Sequence, residues 1–236
     1  MTKVNYDHGQ FSVKPLLTAG FPGRMVAGKM SKVSAHRASR REQQKLDKRE
    51  RIRDAAWELF TTAGYDETTT KQVAARADVA TGTLFLYARD KRDLLCLVMH
   101  DRLDAAVDAG FRTLPRPAPL LDQLMHLFRR LFDMYGEQPG VAAAFVRHFP
   151  GADGPNGQQV NAMTFKFLYL VAQLVQEQQA RGEVGADVEP LRAALNVFAL
   201  YYGALMSWIS GYVALDAALE PGLRSALALQ IRGFRP

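Results

Sequence analysis

The stretch from Thr69 to Lys91, TTKQVAARADVATGTLFLYARDK, constrains the chain most. Thr69 precedes Gln72 by three residues, the spacing of a capping box, in which side chain and backbone satisfy each other at a helix start. Val73, Ala74 and Ala77 then put small apolar groups on one face of a helix of about two turns. Asp78 breaks the pattern, and Val79 is an apolar plug in the turn. A second helix starts at Ala80 or Thr81, with Leu84 and either Tyr87 or Ala88 inward. Small facing residues let the two helices cross closely. This spacing predicts a helix-turn-helix, whose second helix enters the major groove of DNA.

The flanks extend the helical pattern. Ile52, Ala55, Ala56, Leu59, Phe60 and Ala63 form the stripe of a core-facing helix over about 42–63, with Gly64 as its carboxy-terminal cap. Asp90 caps a helix running to about Thr113, with Leu94, Leu95, Val98, Leu103 and Val107 inward. After a break at Pro115, Pro117 and Pro119, further helices are expected over about 118–135, 140–149, 158–179, 188–215 and 223–233. Residues 150–157, PGADGPNG, read as a flexible loop. No period-two pattern occurs, so the expected fold is all-α with about nine helices.

Charge is concentrated. The net charge is +6, yet Lys29 to Arg53 alone holds ten Lys/Arg against three Asp/Glu, leaving the rest near neutral. A basic segment beside a helix-turn-helix is a footprint for phosphate. Thr70 and Lys71 open the first helix of the motif, where free N–H groups favour a phosphate. Thr81 and Thr83 offer hydroxyls to bases or phosphate and methyls to thymine, and Gly82 allows close approach.

The order Ile52–Ala55–Ala56–Leu59–Phe60, Gly64–Tyr65, Thr69–Thr70, Val73–Ala74, Ala77–Asp78–Val79, Gly82 to Tyr87 and Lys91 resembles the amino-terminal domain of the TetR family of transcriptional repressors. Asp78 stands where glycine is common, Ala80 where a serine cap is common, and Phe85 and Ala88 where tyrosine and phenylalanine are common. The resemblance implies that Thr81, Gly82, Thr83, Phe85 and Leu86 face base edges while Tyr87 and Lys91 hold phosphates. It also implies a homodimer paired through its last two helices, a palindromic double-stranded operator and release by a small-molecule effector. The expected organisation is a basic, disordered extension over 1–40, a DNA-binding domain over 41–92 and an effector-binding and dimerisation domain over 93–236.

The effector domain is rich in aromatics and methionines. Met125, Phe128, Phe132, Phe145, Phe149, Phe165, Tyr169 and Phe198 are its candidate pocket residues, with His126, Arg129, Asn161 and Gln173 as polar groups that would orient a ligand. The effector itself is unknown.

Other chemistry is sparse. Cys96 is the only cysteine, so no intrachain disulfide or thiolate zinc site is expected. His100, Asp101 and Asp104 read as a solvated face with His100 pointing away from Asp101; no metal or cofactor is expected. Phosphate-loop, nucleophile-elbow and zincin motifs are absent from the sequence, and no enzyme activity is expected. There is no signal-peptide pattern, and a cytoplasmic location is expected. Ala193 to Leu215 carries no charge over 23 positions, long enough to span a bilayer, but Asn196, Ser207 and Ser210 interrupt it. The leading reading is a ligand-responsive repressor with no membrane partner. Its rivals are a membrane-anchored regulator and a helical binding protein that has lost specific DNA binding.

Overall fold

The computed structural model describes the backbone of residues 32–234 and the side chains from residue 40 onward. The expectation for residues 1–31 lies outside the described residues. From Lys32 the chain is helical, so the first helix begins ten residues before the point its apolar stripe predicts.

All regular structure among the described residues is helical. Helix α1 spans Lys32–Thr62, α2 Thr70–Arg76, α3 Thr81–Leu84 and α4 Lys91–Arg112. Then come α5 over Leu120–Glu137, α6 over Pro139–His148, α7 over Pro155–Ala180 and α8 over Pro190–Ile209. A three-residue turn, α9, covers Leu215–Ala217, and the last helix, α10, covers Arg224–Arg232.

Local chemistry sets most of these ends. Gly64 closes α1 in a left-handed conformation at φ 90°, and the Thr68 hydroxyl donates to the Gly64 carbonyl at 2.7 Å. Thr69 caps α2: its Oγ1 accepts from Gln72 N at 3.2 Å, while Gln72 Oε1 accepts from Thr69 N at 2.7 Å. Proline opens α6, α7 and α8, where its missing N–H costs no hydrogen bond. Two further boundaries differ from the sequence pattern. The 150–157 run is a loop only to Gly154, because Pro155 starts α7. The long uncharged run breaks at Ser210, where Gly211 turns the chain at φ 75°. Among the described residues no helix is long and apolar enough to cross a membrane.

In the body, α4 packs against α5 and α7, and α7 against α8. A Cβ at Gly110 of α4 would lie 3.1 Å from Leu127 Cδ2 of α5, so glycine sets that close approach. Ile52, Phe60, Leu94, Leu124, Phe128 and Leu174 are fully enclosed in one apolar cluster. Burial of this kind contributes about 25 cal/mol per Å² and supplies most of the drive to fold.

Candidate DNA-reading surface and effector cavity

The reading surface is short and exposed. Leu84 and Ala88 point into the core, which turns the opposite side of the segment outward. Thr81 and Gly82 are exposed, Thr83 and Tyr87 half-buried, Phe85 is 47% exposed and Leu86 81% exposed. Two large apolar side chains in water do nothing for the isolated chain, and such exposure marks a contact surface. A Cβ at Gly82 would meet nothing, so the fold itself does not demand glycine there. Lys71 is exposed and Thr70 half-buried at the start of α2. Lys91 is half-buried: its Nζ donates to the Asp66 carbonyl at 3.0 Å and sits 4.4 Å from the Tyr65 ring centre. One ammonium hydrogen is engaged there, and two remain for phosphate.

The turn between α2 and α3 carries a cost. Asp78 adopts φ 53°, a left-handed conformation that glycine takes without strain. Ala80 is the α3 N-cap and supplies no side-chain acceptor.

In the body, a cavity of about 390 Å³ lies between α4, α5, α6, α7 and α8. Of the candidate pocket residues, Phe145, Phe149 and Phe198 line it. Met125, Phe128 and Phe132 are buried beside it in the core but are not part of its wall. Phe165 and Tyr169 need correction as wall residues: they are 70% and 63% exposed on the outer face of α7. Of the polar candidates only Asn161 reaches the wall. Leu103, Val107, Leu131 and Val160 also line it, with Tyr135, Tyr201 and Tyr202 among the remaining wall residues. No lining residue carries a charge. Burial pushes the Tyr135 phenol up to about 12 and raises those of Tyr201 and Tyr202, so all three stay protonated near neutral pH.

Asp93, a residue the sequence pattern did not single out, joins the first turn of α7 to the segment that follows α3. Its buried carboxylate accepts four N–H groups at 2.9–3.0 Å: Arg89 N, Asn156 N, Asn156 Nδ2 and Gly157 N. Asn156 Nδ2 also donates to the Tyr87 carbonyl at 2.8 Å. Arg89 pairs with Asp153 in the adjoining loop. A Cβ at Gly154 would lie 2.3 Å from Asp93 Cγ, so only glycine admits the carboxylate. At the other side Tyr65 packs on His148, one residue before the cavity wall at Phe149.

Among the described residues no group of three or more His, Cys, Asp or Glu is placed to hold a metal. His100 does not point away from Asp101: its Nδ1 lies 3.0 Å from Asp101 Oδ1, while Asp101 Oδ2 accepts from Arg53 of α1.

An exposed helix-turn-helix joined to an all-α body with an apolar cavity defines a ligand-responsive DNA-binding regulator. Residues 52–96 match the family model for bacterial regulatory proteins of the tetR family. The chain is similar to the fatty acid metabolism regulator protein of Bacillus subtilis, 20% identical over 166 residues that cover 70% of this chain and 86% of the relative. It is similar to the HTH-type transcriptional repressor KstR of Mycobacterium tuberculosis, 25% identical over 167 residues, or 70% of this chain and 72% of that one. Among solved structures it resembles Thermus thermophilus FadR, a TetR-family transcriptional repressor in complex with lauroyl-CoA. That likeness has a TM-score of 0.62 and 26% identity, and covers 76% of this chain and 93% of the other. Over residues 52–96 the chain matches the tetR family model, and the relatives it resembles over most of its length are transcriptional regulators.

Proposed function

We propose that this protein is a cytoplasmic, homodimeric repressor that reads a palindromic operator and releases it when an acyl-CoA-type effector enters the cavity. Residues 41–92 form the reading domain and residues 93–236 the effector and dimer domain. Thr81, Gly82, Thr83, Phe85 and Leu86 meet base edges, while Thr70, Lys71, Tyr87 and Lys91 meet phosphates. Helix α3 carries no Arg, Asn or Gln, so discrimination comes from apolar contacts, DNA shape and the spacing of two heads.

The observation that carries this reading is the Asp93 junction. Helix α7, which forms one wall of the cavity, carries Asn156 in its first turn, and Asn156 also holds the Tyr87 carbonyl. A ligand that displaces α7 therefore displaces the end of the reading segment. Only a difference in effector affinity between the operator-bound and released forms drives the switch.

The apolar, uncharged wall and the likeness to a regulator solved with lauroyl-CoA support an effector whose acyl part lies inside and whose charged head lies outside. For the dimer, the resemblance implies pairing through the last two helices, those expected over 188–215 and 223–233. Exposed apolar side chains lie on both of these helices, Leu191, Leu195 and Met206 on α8 and Leu229 on α10, and also on α7 at Phe165 and Tyr169. An apolar face of this extent fits a second copy of the same face.

The test is a mobility-shift titration with DNA from beside the protein's own coding region, run with and without lauroyl-CoA on material of measured mass. A dimer that shifts the DNA and lets go on adding lauroyl-CoA is the expected result. Absence of a shift at both low and high salt would rule the reading out.

A further inference from the structure

Tyr135 and Tyr201 face each other at the inner end of the cavity, with 3.0 Å between their hydroxyl oxygens. The exposed lining residues, Pro150 and Asn161, mark the mouth, whereas both tyrosines are buried. The Tyr201 ring cannot swing away. It stacks on Phe128 at 4.8 Å and is flanked by Phe132 at 6.1 Å and Phe198 at 5.7 Å.

Two phenols bonded only to each other form one hydrogen bond from two protons. Whichever oxygen donates, the other O–H is left over. Among the described residues neither hydroxyl has a further acceptor. The other hydroxyls of the wall are already engaged: Tyr202 donates to the Val146 carbonyl at 3.3 Å, and Thr164 to the Val160 carbonyl at 3.0 Å. A buried donor without an acceptor is destabilising, and such donors are rare in folded proteins unless a ligand or water meets them. A purely hydrocarbon ligand leaves this one unmet. Phenylalanine at both positions would give the same shape without the penalty.

We propose that the effector carries a hydrogen-bond acceptor oxygen at the end that enters first, and that the Tyr135–Tyr201 pair selects for it. The ligand class is an apolar chain or ring system with a hydroxyl, keto or ether oxygen remote from its charged head. The proposal rests on the effector-cavity reading above and narrows it. Both phenols are held protonated by burial, so the donor persists across the neutral range. At about 30 Å³ per water-sized group the cavity holds roughly a dozen methylenes, which sets the distance from mouth to donor.

The test compares lauroyl-CoA with ω-hydroxylauroyl-CoA by calorimetry on the full-length protein. In parallel, dodecanol and dodecane compete for a fluorescent reporter seated in the cavity. Either single substitution leaves one free O–H, so the informative variant is Tyr135→Phe with Tyr201→Phe, which removes both partners and keeps the shape. The wild type is expected to prefer the oxygenated member of each pair about tenfold, the size of one recovered hydrogen bond, and the double variant to bind both members equally. If neither CoA ester binds but dodecanol beats dodecane on the wild type alone, the acyl-CoA reading fails and this inference stands. Equal binding of both members by the wild type, a preference that survives in the double variant, or no binding of either pair would overturn it.

Discussion

The Asp93 carboxylate on α4 lies 2.9 Å from the backbone nitrogens of both Asn156 and Gly157, so one helix caps the start of another 63 residues away. Gly154, the N-cap of α7, has no side chain to do so. The positive end of the α7 dipole and four N–H donors offset the cost of burying a charge. Asp93→Ala removes the acceptor and leaves those donors in the interior. It is expected to lower unfolding stability by about 3 kcal/mol in a denaturant titration. The same variant should bind operator while its release no longer answers effector. A variant as stable and as responsive as wild type would show that the junction carries neither load.

On the reading surface, structural and functional costs should separate. Phe85→Ala and Leu86→Ala change side chains that face water, so stability should stay within about 0.5 kcal/mol of wild type. Operator affinity should nonetheless fall, and most for Leu86, the more exposed. Thr83→Ala should weaken specific binding alone. Lys91→Ala should weaken binding to every sequence and reduce the salt slope by about one. It should also loosen the Asp66 loop that the ammonium tethers. Affinity measured on operator and on random DNA across a salt series distinguishes these outcomes.

Asp78→Gly tests the strained turn. A left-handed residue with a Cβ costs about 1–2 kcal/mol, part of which glycine gives back through unfolded-chain entropy. The Arg51–Asp78 pair that is lost spans 3.7 Å at an exposed site and contributes little. A net gain of about 0.5 kcal/mol is expected, raising Tm by about 1–2 °C. A lower Tm would mean that Asp78 makes a contribution beyond its conformation.

How far the sequence carries can be seen at particular residues. Thr69 with Gln72, Leu84 and Asp78 act through neighbours within a turn or two, and local spacing reveals them. Asp93 acts on residues far along the chain. In the sequence it looks like one more acidic residue in a first helical turn, and Gly154 looks like part of a loose glycine run. Only tertiary contact joins them. Periodicity likewise tells that Phe165 and Tyr169 are apolar on a helix, but not that they are exposed rather than lining a cavity. The same limit hid the end of α8, where a long uncharged run masked the turn at Gly211.

Alkali should unfold the protein through its buried phenols. Burial, then the nearby Asp90 and Asp66 charges, pushes Tyr65 up to about 12, and burial does the same for Tyr135. A raised phenol favours the folded, protonated form, so its contribution is complete below the ordinary value of 10.0 and disappears as pH climbs through about 12. A pH titration of tyrosinate absorbance should show the buried phenols ionising last. A second, cooperative step coinciding with loss of helical circular dichroism should follow. Ionisation of every tyrosine in one step with helicity intact would contradict the buried geometry.

Cys96 offers a readout of opening at the Asp93 junction. It lies on α4 and is buried, and burial pushes its thiol up to about 12, with the Asp93 charge adding to the shift. The thiolate is the reactive form, so the folded protein holds an inert thiol at neutral pH. Labelling by a thiol reagent therefore requires the helix to open, and its rate follows the population of the opened form. Wild type should label orders of magnitude more slowly than the urea-unfolded chain. Asp93→Ala should speed labelling by about a hundredfold, the factor for roughly 3 kcal/mol of lost stability. Wild-type labelling as fast in native buffer as in urea would show that α4 does not enclose Cys96 in solution.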